Sequence, residues 1–176
     1  FNLHELLDTV LSFERSSHPG LRFTAYYDAS LPDIEADRDK LHQVFLNLVR
    51  NASEACPADG RVRVLTRHCA HWELAGTNLD PTRRYILVSI EDEGPGIPEE
   101  LRKNIFKPLF STKKQGTGLG LSISFRLVES HGGQLRYQPS ERSGACFQVI
   151  LPESQSEPLE ENSPNFVYQD LRKEIS

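Results

Sequence analysis

Three polar side chains recur at helical spacing in the segment 39–55: Asn47, Asn51 and Glu54. Intervals of four and three residues place them on one side of a helix, beside its apolar stripe. Two asparagines need a reason there, because asparagine is a mediocre helix former. One interpretation is a solvated helix flank. The other is a set of oxygen ligands for Mg²⁺, which takes only one or two protein oxygens besides water and phosphate.

A second group, Asp92-Glu93-Gly94-Pro95-Gly96, directly follows the apolar run YILVSIE. A carboxylate at a strand end, followed by two glycines, lets the backbone approach a flat ligand closely. Asp92 can accept a hydrogen bond from the exocyclic amino group of adenine, whereas guanine would turn a carbonyl oxygen towards it. The alternative is a plain turn, and this pattern alone does not decide between the two.

Three glycines, Gly116, Gly118 and Gly120, open the last long helical pattern. Main-chain amides at a helix N-terminus favour phosphate oxygens, and glycine removes the Cβ atom that would block them. The pattern is not a dinucleotide fingerprint, which needs a βαβ unit and a later acidic residue. It is not a P-loop either, because no Gly-Lys-Ser/Thr follows. A flexible loop before a helix is the alternative.

The segment between the two glycine groups is irregular in composition and contains Phe106, Pro108, Phe110 and Lys113. We predict a mobile segment over 97–115 with one short helix near 99–104. Packing of the phenylalanines and solvation of the lysines is the simple interpretation. Lys113 is also a candidate for binding phosphate, to which lysine is a point-charge partner.

The elements that position these residues follow from hydrophobic periodicity. The pattern predicts helices from an Asn2 cap to the break at His18-Pro19-Gly20, over 39–55 and over 119–131. It predicts strands at 21–28, 62–66, 85–91, 134–138 and 145–151, with a long loop or hairpin at 68–83. This order favours an α+β fold, a two-layer α/β sandwich with helices on one face of a mixed sheet.

The composition is that of one globular domain: 176 residues with a formal net charge of -5. The negative charge argues against non-specific binding to nucleic acid or to anionic membranes. Cys56, Cys69 and Cys146 form no Cys-x-x-Cys pair, which excludes a zinc knuckle and favours reduced thiols in a cytosolic protein. The chain begins at Phe1 and has no methionine, so we expect a piece of a longer protein.

Taken in order, the four segments resemble the motifs of one family. LHQVFLNLVRNASEA, EDEGPGIP, IFKPLFSTK and GTGLGLSIS are similar to the N box, first glycine box, phenylalanine box and second glycine box of sensor histidine kinase catalytic domains. These domains belong to the gyrase, Hsp90, histidine kinase and MutL superfamily, and the chain is most similar to its NtrB-like, nitrogen-regulation branch. The resemblance runs from about Asn2 to Leu151 and implies the Bergerat ATP-binding fold.

The resemblance implies a role for each matching residue. Asn51 would coordinate an Mg²⁺ that bridges the ATP phosphates, Asn47 would support phosphate or metal, and Asp92 would hold the adenine amino group. The catalytic residues would be Asn47, Asn51 and Lys113, and 97–116 would form the ATP lid. The complete set of implied ATP-binding residues is Asn47, Arg50, Asn51, Asp92, Gly94, Gly96, Ile97, Thr112, Lys113, Gly116, Thr117, Gly118, Leu119, Gly120 and Leu121.

Asn47 also bears on the type of reaction. Hydrolysing members such as gyrase and Hsp90 carry a glutamate at the matching place to activate water, and an amide cannot take a proton at neutral pH. We therefore expect transfer of the ATP γ-phosphoryl group to a histidine. The alternatives are a nucleotide-gated interaction module without phosphotransfer and a stand-alone ATPase.

The acceptor histidine is expected outside this chain. His4-Glu5 is not followed by Asn/Thr-Pro, so we predict that His4 is an exposed residue of the first helix and that the acceptor domain precedes Phe1. The implied partners are this dimerisation and phosphoacceptor domain and a response regulator, with no nucleic acid and no direct membrane contact. The isolated domain is expected to be monomeric and cytoplasmic.

A change of composition after Pro152 predicts a catalytic domain over 1–151 and an acidic tail over 152–176. The tail is either a disordered extension or a docking segment in which Phe166, Tyr168 and Leu171 pack on the domain or on a partner. A short amphipathic helix over 166–175 fits its last part.

Overall fold

The computed structural model describes residues 1–153 of the chain. Its α-helices are α1 (Leu3–Ser17), α2 (Arg38–Ala55), α3 (Glu99–Arg102) and α4 (Gly120–Ser130). Its strands are β1 (Arg22–Tyr27), β2 (Arg61–His68), β3 (Tyr85–Asp92), β4 (Gln134–Pro139) and β5 (Ala145–Pro152). They form one five-stranded sheet in the order β1-β2-β3-β5-β4. β1 is parallel to β2 and the other neighbours are antiparallel, so the sheet is mixed.

Side-chain caps fix where the first two long helices begin. Asn2 Oδ1 accepts hydrogen bonds from the backbone N–H groups of His4 and Glu5, which confirms the predicted cap of α1. Asp37 caps α2 in the same way through the N–H of Lys40. These bonds satisfy amides that have no partner inside the helix.

The main core lies between α1, α2 and α4 and one face of the sheet, here called the inner face. The central strand β3 is buried on both faces, as its continuous apolar sequence predicts. The opposite, outer face carries the alternate side chains of the strands, among them Arg63, Leu65 and Gln148. The predicted two-layer α+β sandwich is confirmed.

The segment 69–84 covers one end of the outer face. Its Leu74 packs with Tyr85, Leu87 and Ile150. Arg67 of β2 donates two hydrogen bonds, of 2.6 and 2.7 Å, to the nearly buried carboxylate of Glu73. Of the two forms predicted here, a long loop or a hairpin, the structure shows a loop with one short 3₁₀ helix, His71–Leu74.

The prediction that His4 is exposed is wrong. Its ring is half-buried and stacks on Tyr27, with ring centres 4.4 Å apart, and its Nε2 lies 2.9 Å from Thr66 Oγ1. The first turn of α1 packs over the ends of β1 and β2, and this packing covers a side chain that the helical pattern alone places at the surface.

Strand β5 ends at Pro152, close to the predicted domain boundary. The boundary at 151 stays a prediction, and the predicted tail helix over 166–175 lies outside the described residues. Within 1–153, no helix is both long and apolar enough to cross a membrane. Cys56, Cys69 and Cys146 are free thiols, as expected, and burial raises the pKa of each.

Candidate functional site

Asp92, the last residue of β3, is a buried carboxylate with one braced oxygen. Its Oδ1 accepts hydrogen bonds from the N–H groups of Gly94 (2.8 Å) and Ala145 (3.2 Å). Within residues 1–153 no hydrogen bond reaches Oδ2, so this oxygen remains for a ligand. Burial raises the pKa of Asp92, and the two backbone N–H groups only partly offset that shift. A fixed acceptor of this kind suits a ligand's amino group.

The turn after β3 is packed against two other parts of the chain. A Cβ atom on Gly94 would lie 2.6 Å from the carbonyl oxygen of Ala55, at the end of α2. Gly144, in the loop before β5, comes so close that its Cβ would lie 2.1 Å from the backbone oxygen of Asp92. Sequence reasoning missed the roles of Gly144 and Ala145, for which a glycine directly before the predicted strand 145–151 is a weak signal.

The Asn47 side chain joins α2 to α4. Its Nδ2 donates a 3.0 Å hydrogen bond to Ser124 Oγ, in a half-buried position. Ser124 was not among the predicted site residues. It lies 77 positions after Asn47 in the chain, so no local pattern predicts this contact. The amide is thus held in one orientation by a neighbour rather than left free in solvent.

Asn51 and Glu54, further along α2, direct oxygen atoms at one point. Lys113 Nζ donates to Asn51 Oδ1 at 3.3 Å and forms an ion pair with Glu54. Two side-chain oxygens that contact the same ammonium group form a candidate binding site for a cation. Among the described residues no group of three His, Cys, Asp or Glu side chains could hold a metal, so a metal here would need ligands from water and substrate.

The N-terminus of α4 faces the same region. Leu119 occupies the cap position without a side-chain hydrogen bond, and the helix runs for 11 residues from Gly120. No side chain of residues 1–153 caps its first-turn amides, which leaves these donors available to an anion. Thr117 Oγ1 lies near the Leu119 N–H at 3.4 Å, and Leu121 is half-buried against the core.

The segment 97–116 is held at Ile97, Phe106 and Leu109 and is exposed over 111–116. The Ile97 N–H donates to the Tyr137 hydroxyl at 3.3 Å, and Phe106 packs 5.1 Å from the ring of Phe125. Gly118, with a φ of +68°, accepts a hydrogen bond from the Leu109 N–H. Thr112, Lys113 and Gly116 lie on the exposed stretch between these anchors. The predicted short helix is α3, and the phenylalanines pack as expected.

The domain thus contains three features that suit a nucleotide. They are the Asp92 carboxylate, the Asn51 and Glu54 oxygens beside Lys113, and the N-terminus of α4. A family model described as "Histidine kinase-, DNA gyrase B-, and HSP90-like ATPase" matches residues 36–155. The chain belongs to this ATPase family. The resemblance drawn from the four sequence segments is therefore confirmed, and the domain is of the catalytic type found in sensor histidine kinases.

Curated relatives of this ATPase-family domain are histidine kinases. The chain is 38% identical over 154 residues to the sensory histidine kinase/phosphatase NtrB of Azospirillum brasilense, with 86% of the chain and 38% of that protein covered. It is 40% identical over 130 residues to the signal transduction histidine-protein kinase AtoS of Escherichia coli, with 74% and 19% covered. The chain therefore spans about two fifths of the NtrB relatives it matches.

Solved structures agree with this assignment. The nucleotide-free catalytic domain of histidine kinase ThkA is 34% identical, with a TM-score of 0.74 and coverage of 88% of this chain and 94% of that one. A structure of ThkA in complex with the response regulator TrrA is 33% identical, with a TM-score of 0.68 and coverage of 87% and 41%.

One predicted site residue of the ATPase-family domain lies apart from the others. Arg50 Nε donates to the buried carboxylate of Glu14 on α1 at 3.3 Å, and its guanidinium lies 5.9 Å from the centre of the Phe13 ring. The structure brings Lys113 to Asn51 and Gly120 to Asn47, whereas it directs Arg50 towards α1. Helical spacing does not predict this contact. Arg50 lies about 100° from Asn51 around the helix, and its partner on α1 depends on tertiary packing.

Proposed function

We propose that the chain is the ATP-binding, phosphoryl-donating domain of a sensor histidine kinase. The observation that carries the proposal is the position of Asp92. Its carboxylate is buried and is held at Oδ1 by two backbone N–H groups, and within residues 1–153 no hydrogen bond reaches Oδ2. The turn that follows packs at Gly94 against Ala55, one helical turn beyond Asn51 on α2. A nucleotide has a base with an amino group at one end and phosphates at the other.

The base would bind against Asp92. The free Oδ2 would accept a hydrogen bond from the adenine amino group, and the turn containing Gly94 and Gly96 would lie against the ring. Gly96 has a φ of +72°, a conformation that favours glycine. A guanine would present an oxygen to the same carboxylate, which leaves a buried charge unpaired and so disfavours binding.

The phosphates would bind between α2, the N-terminus of α4 and Lys113. The uncapped amides after Leu119 supply donors and Lys113 supplies a positive charge. Asn51 would hold Mg²⁺, and this residue fits the ion, because its Oδ1 already accepts a hydrogen bond from the ammonium group of Lys113. The ion would neutralise phosphate charge.

Asn47 favours phosphoryl transfer over hydrolysis. Its side chain donates to Ser124 and cannot take a proton from water at neutral pH. Transfer then requires a nucleophile from elsewhere, and we propose a histidine on a dimerisation domain of the intact protein. A response regulator would receive the group in turn. The proposed setting is cytoplasmic, and the isolated domain is proposed to be a monomer.

Nucleotide binding tests the site. The chain should bind a fluorescent ATP analogue in a Mg²⁺-dependent way, and Asp92→Asn and Asn51→Ala should each weaken that binding at least about tenfold, the loss expected from a buried hydrogen bond to a charged group. Asp59→Asn and Asn78→Ala, at exposed positions away from the site, are the matched controls. Unchanged affinity in both site variants, with folding retained, would overturn the assignment.

Phosphotransfer tests the reaction. Mixing the chain and labelled ATP with the separately prepared acceptor domain of the same intact protein should give acid-labile phosphohistidine. Steady ATP turnover by the chain alone would support a stand-alone ATPase instead. Tight ATP binding with neither turnover nor transfer would support a nucleotide-gated interaction module.

A further inference from the structure

The outer face of the sheet carries a groove that the nucleotide site does not use. The groove encloses about 540 Å³ between β2, β3, β5 and the loop 139–142. The helices of the core lie on the inner face, and the segment 69–84 covers only the other end of the outer face. This groove is therefore a candidate docking surface.

The charges in the groove favour an acidic occupant. Four arginines and two glutamates line it, although the whole chain has a net charge of -5. Arg63 and Arg67 are paired with glutamates, but within residues 1–153 the side chain of Arg142 makes no hydrogen bond or ion pair. Arg61 has a buried Nε without a hydrogen-bond partner among the described residues. The Arg61 side chain lines the groove, so an acidic occupant would place a carboxylate beside its guanidinium group.

The floor of the groove also has an apolar part. Tyr26 of β1 and Leu65 of β2 lie side by side in the strand register and remain 56% and 37% exposed. An occupant that combines carboxylates with large apolar side chains would therefore match both parts of the groove. An acidic segment without apolar residues would match only one.

The chain itself contains such a sequence directly after β5. Residues 153–165 include Glu153, Glu157, Glu160 and Glu161 and no lysine or arginine, and Phe166, Val167 and Tyr168 follow. The described chain leaves the sheet at Glu153, whose N–H donates to the Arg84 carbonyl at 3.0 Å.

The distance from the end of β5 to the groove is short compared with the reach of the 23 residues after Glu153. Gln148 and Cys146 of β5 line the groove and precede Pro152 by four and six positions, or about 13–20 Å at roughly 3.3 Å per residue. The 23 residues after Glu153 can span about 75 Å when extended. A chain that turns back after β5 therefore reaches the groove within its acidic part.

We propose that residues 154–168 bind in the arginine-lined groove on the outer face, with the glutamates at Arg61 and Arg142 and the aromatic residues over Tyr26 and Leu65. The acidic segment is then an internal ligand of the domain. This proposal does not depend on the nucleotide site.

Photo-crosslinking in the full 176-residue chain tests this contact. Phe166 is replaced by p-benzoylphenylalanine, the chain is irradiated and the cross-linked peptides are identified by mass spectrometry. Cross-links within one molecule to β1, β2 or the loop 139–142 are the expected result. Cross-links only to the helices of the inner side, or only between molecules in a mixture of ¹⁵N-labelled and unlabelled chains, would overturn the proposal.

A charge-reversal series tests the chemistry of the contact. Changing Glu157, Glu160 and Glu161 to lysine should abolish the groove cross-link, and adding Arg61→Glu with Arg142→Glu should restore it. Arg126→Glu, at an exposed position of α4, is the matched control and should restore nothing. A cross-link that survives the three lysine substitutions would overturn the proposal, and thermal unfolding of each variant verifies that the domain remains folded.

Discussion

Gly120, the first residue of α4, lies so close to Asn47 of α2 that a Cβ atom on it would stand 2.4 Å from Asn47 Oδ1. Real Cβ atoms do not come so close to another heavy atom, so this position is closed to any other residue unless Asn47 moves. The contact sets the distance between α2 and the N-terminus of α4, which are the two elements proposed to hold the phosphates.

Gly120→Ala should therefore weaken ATP binding. The new methyl group would push the Asn47 side chain away and break its hydrogen bond to Ser124, and we expect a loss of at least about tenfold in affinity, or 1.4 kcal/mol. Titration with a fluorescent ATP analogue measures this. Gly76→Ala is the control, since its Cβ meets nothing within 4 Å although its φ is +75°. That variant should lose about 1 kcal/mol of stability and keep its affinity.

Asp92→Asn should stabilise the nucleotide-free domain at neutral pH. Because burial raises the folded-state pKa of Asp92 above its unfolded value, the ionised group costs stability at pH values above the folded pKa, and this cost disappears below the unfolded pKa. The asparagine Oδ1 can still accept the two backbone N–H groups. We expect a gain of about 1 kcal/mol at pH 7 that fades on acidification, as measured by urea unfolding over pH 3–8. A loss of stability at pH 7 would contradict the pKa argument.

Glu54→Gln should tighten nucleotide binding. Glu54 pairs with Lys113 in this structure, so its carboxylate competes with phosphate for the lysine. Removing the charge should gain up to about 1 kcal/mol, the upper range for an exposed pair, and the gain should vanish when Lys113→Ala is also present. Calorimetric titration of ADP with and without Mg²⁺ separates the competition for Lys113 from an effect of Glu54 on the metal. Weaker binding only with Mg²⁺ would show instead that Glu54 acts on the metal.

Glu73→Gln should destabilise the fold at neutral pH. The hydrogen bonds from Arg67 are the largest cause that holds the pKa of Glu73 below its usual value. This stability is therefore present above the unfolded pKa and is lost as the pH falls through the folded pKa. Since Arg67 is 39% exposed, screening reduces the expected loss to about 1–2 kcal/mol. Urea unfolding at pH 7 and pH 3 measures it. Glu129→Gln, exposed on α4, should change little.

Arg50→Ala should lower stability and leave ATP affinity unchanged. The substitution removes the guanidinium that donates to the buried Glu14 carboxylate, and a loss of about 1–3 kcal/mol is expected. Arg126→Ala, exposed on α4, is the control. Weaker ATP binding at unchanged stability would show that Arg50 reaches the phosphates, as the resemblance implies.

The helices, strands and chemical segments could be predicted because each is a local pattern. The apolar stripe of α2 repeats at 3.6 residues, the run in β3 is continuous, and Gly94, Gly96 and Gly120 mark backbone that must pack closely. Asn51, Asp92 and Lys113 were predicted from residue type and order. The structure brings Lys113 to Asn51 and packs the turn after Asp92 against the end of α2, while the role of these residues stays a prediction.

The sequence by itself determined the elements, their class of fold and the residues that are proposed to bind a nucleotide. Only the tertiary structure decided which side chains and backbone groups meet. Ala145 donates to Asp92, Asn47 to Ser124 and Lys113 to Glu54. Arg50 contacts Glu14 of α1 and not the other predicted site residues. The physical reason is that periodicity fixes the face on which a side chain lies, whereas its partner depends on how elements far apart in the chain pack. The same packing leaves the outer face of the sheet open at its arginine-lined end, a feature that no local pattern encodes.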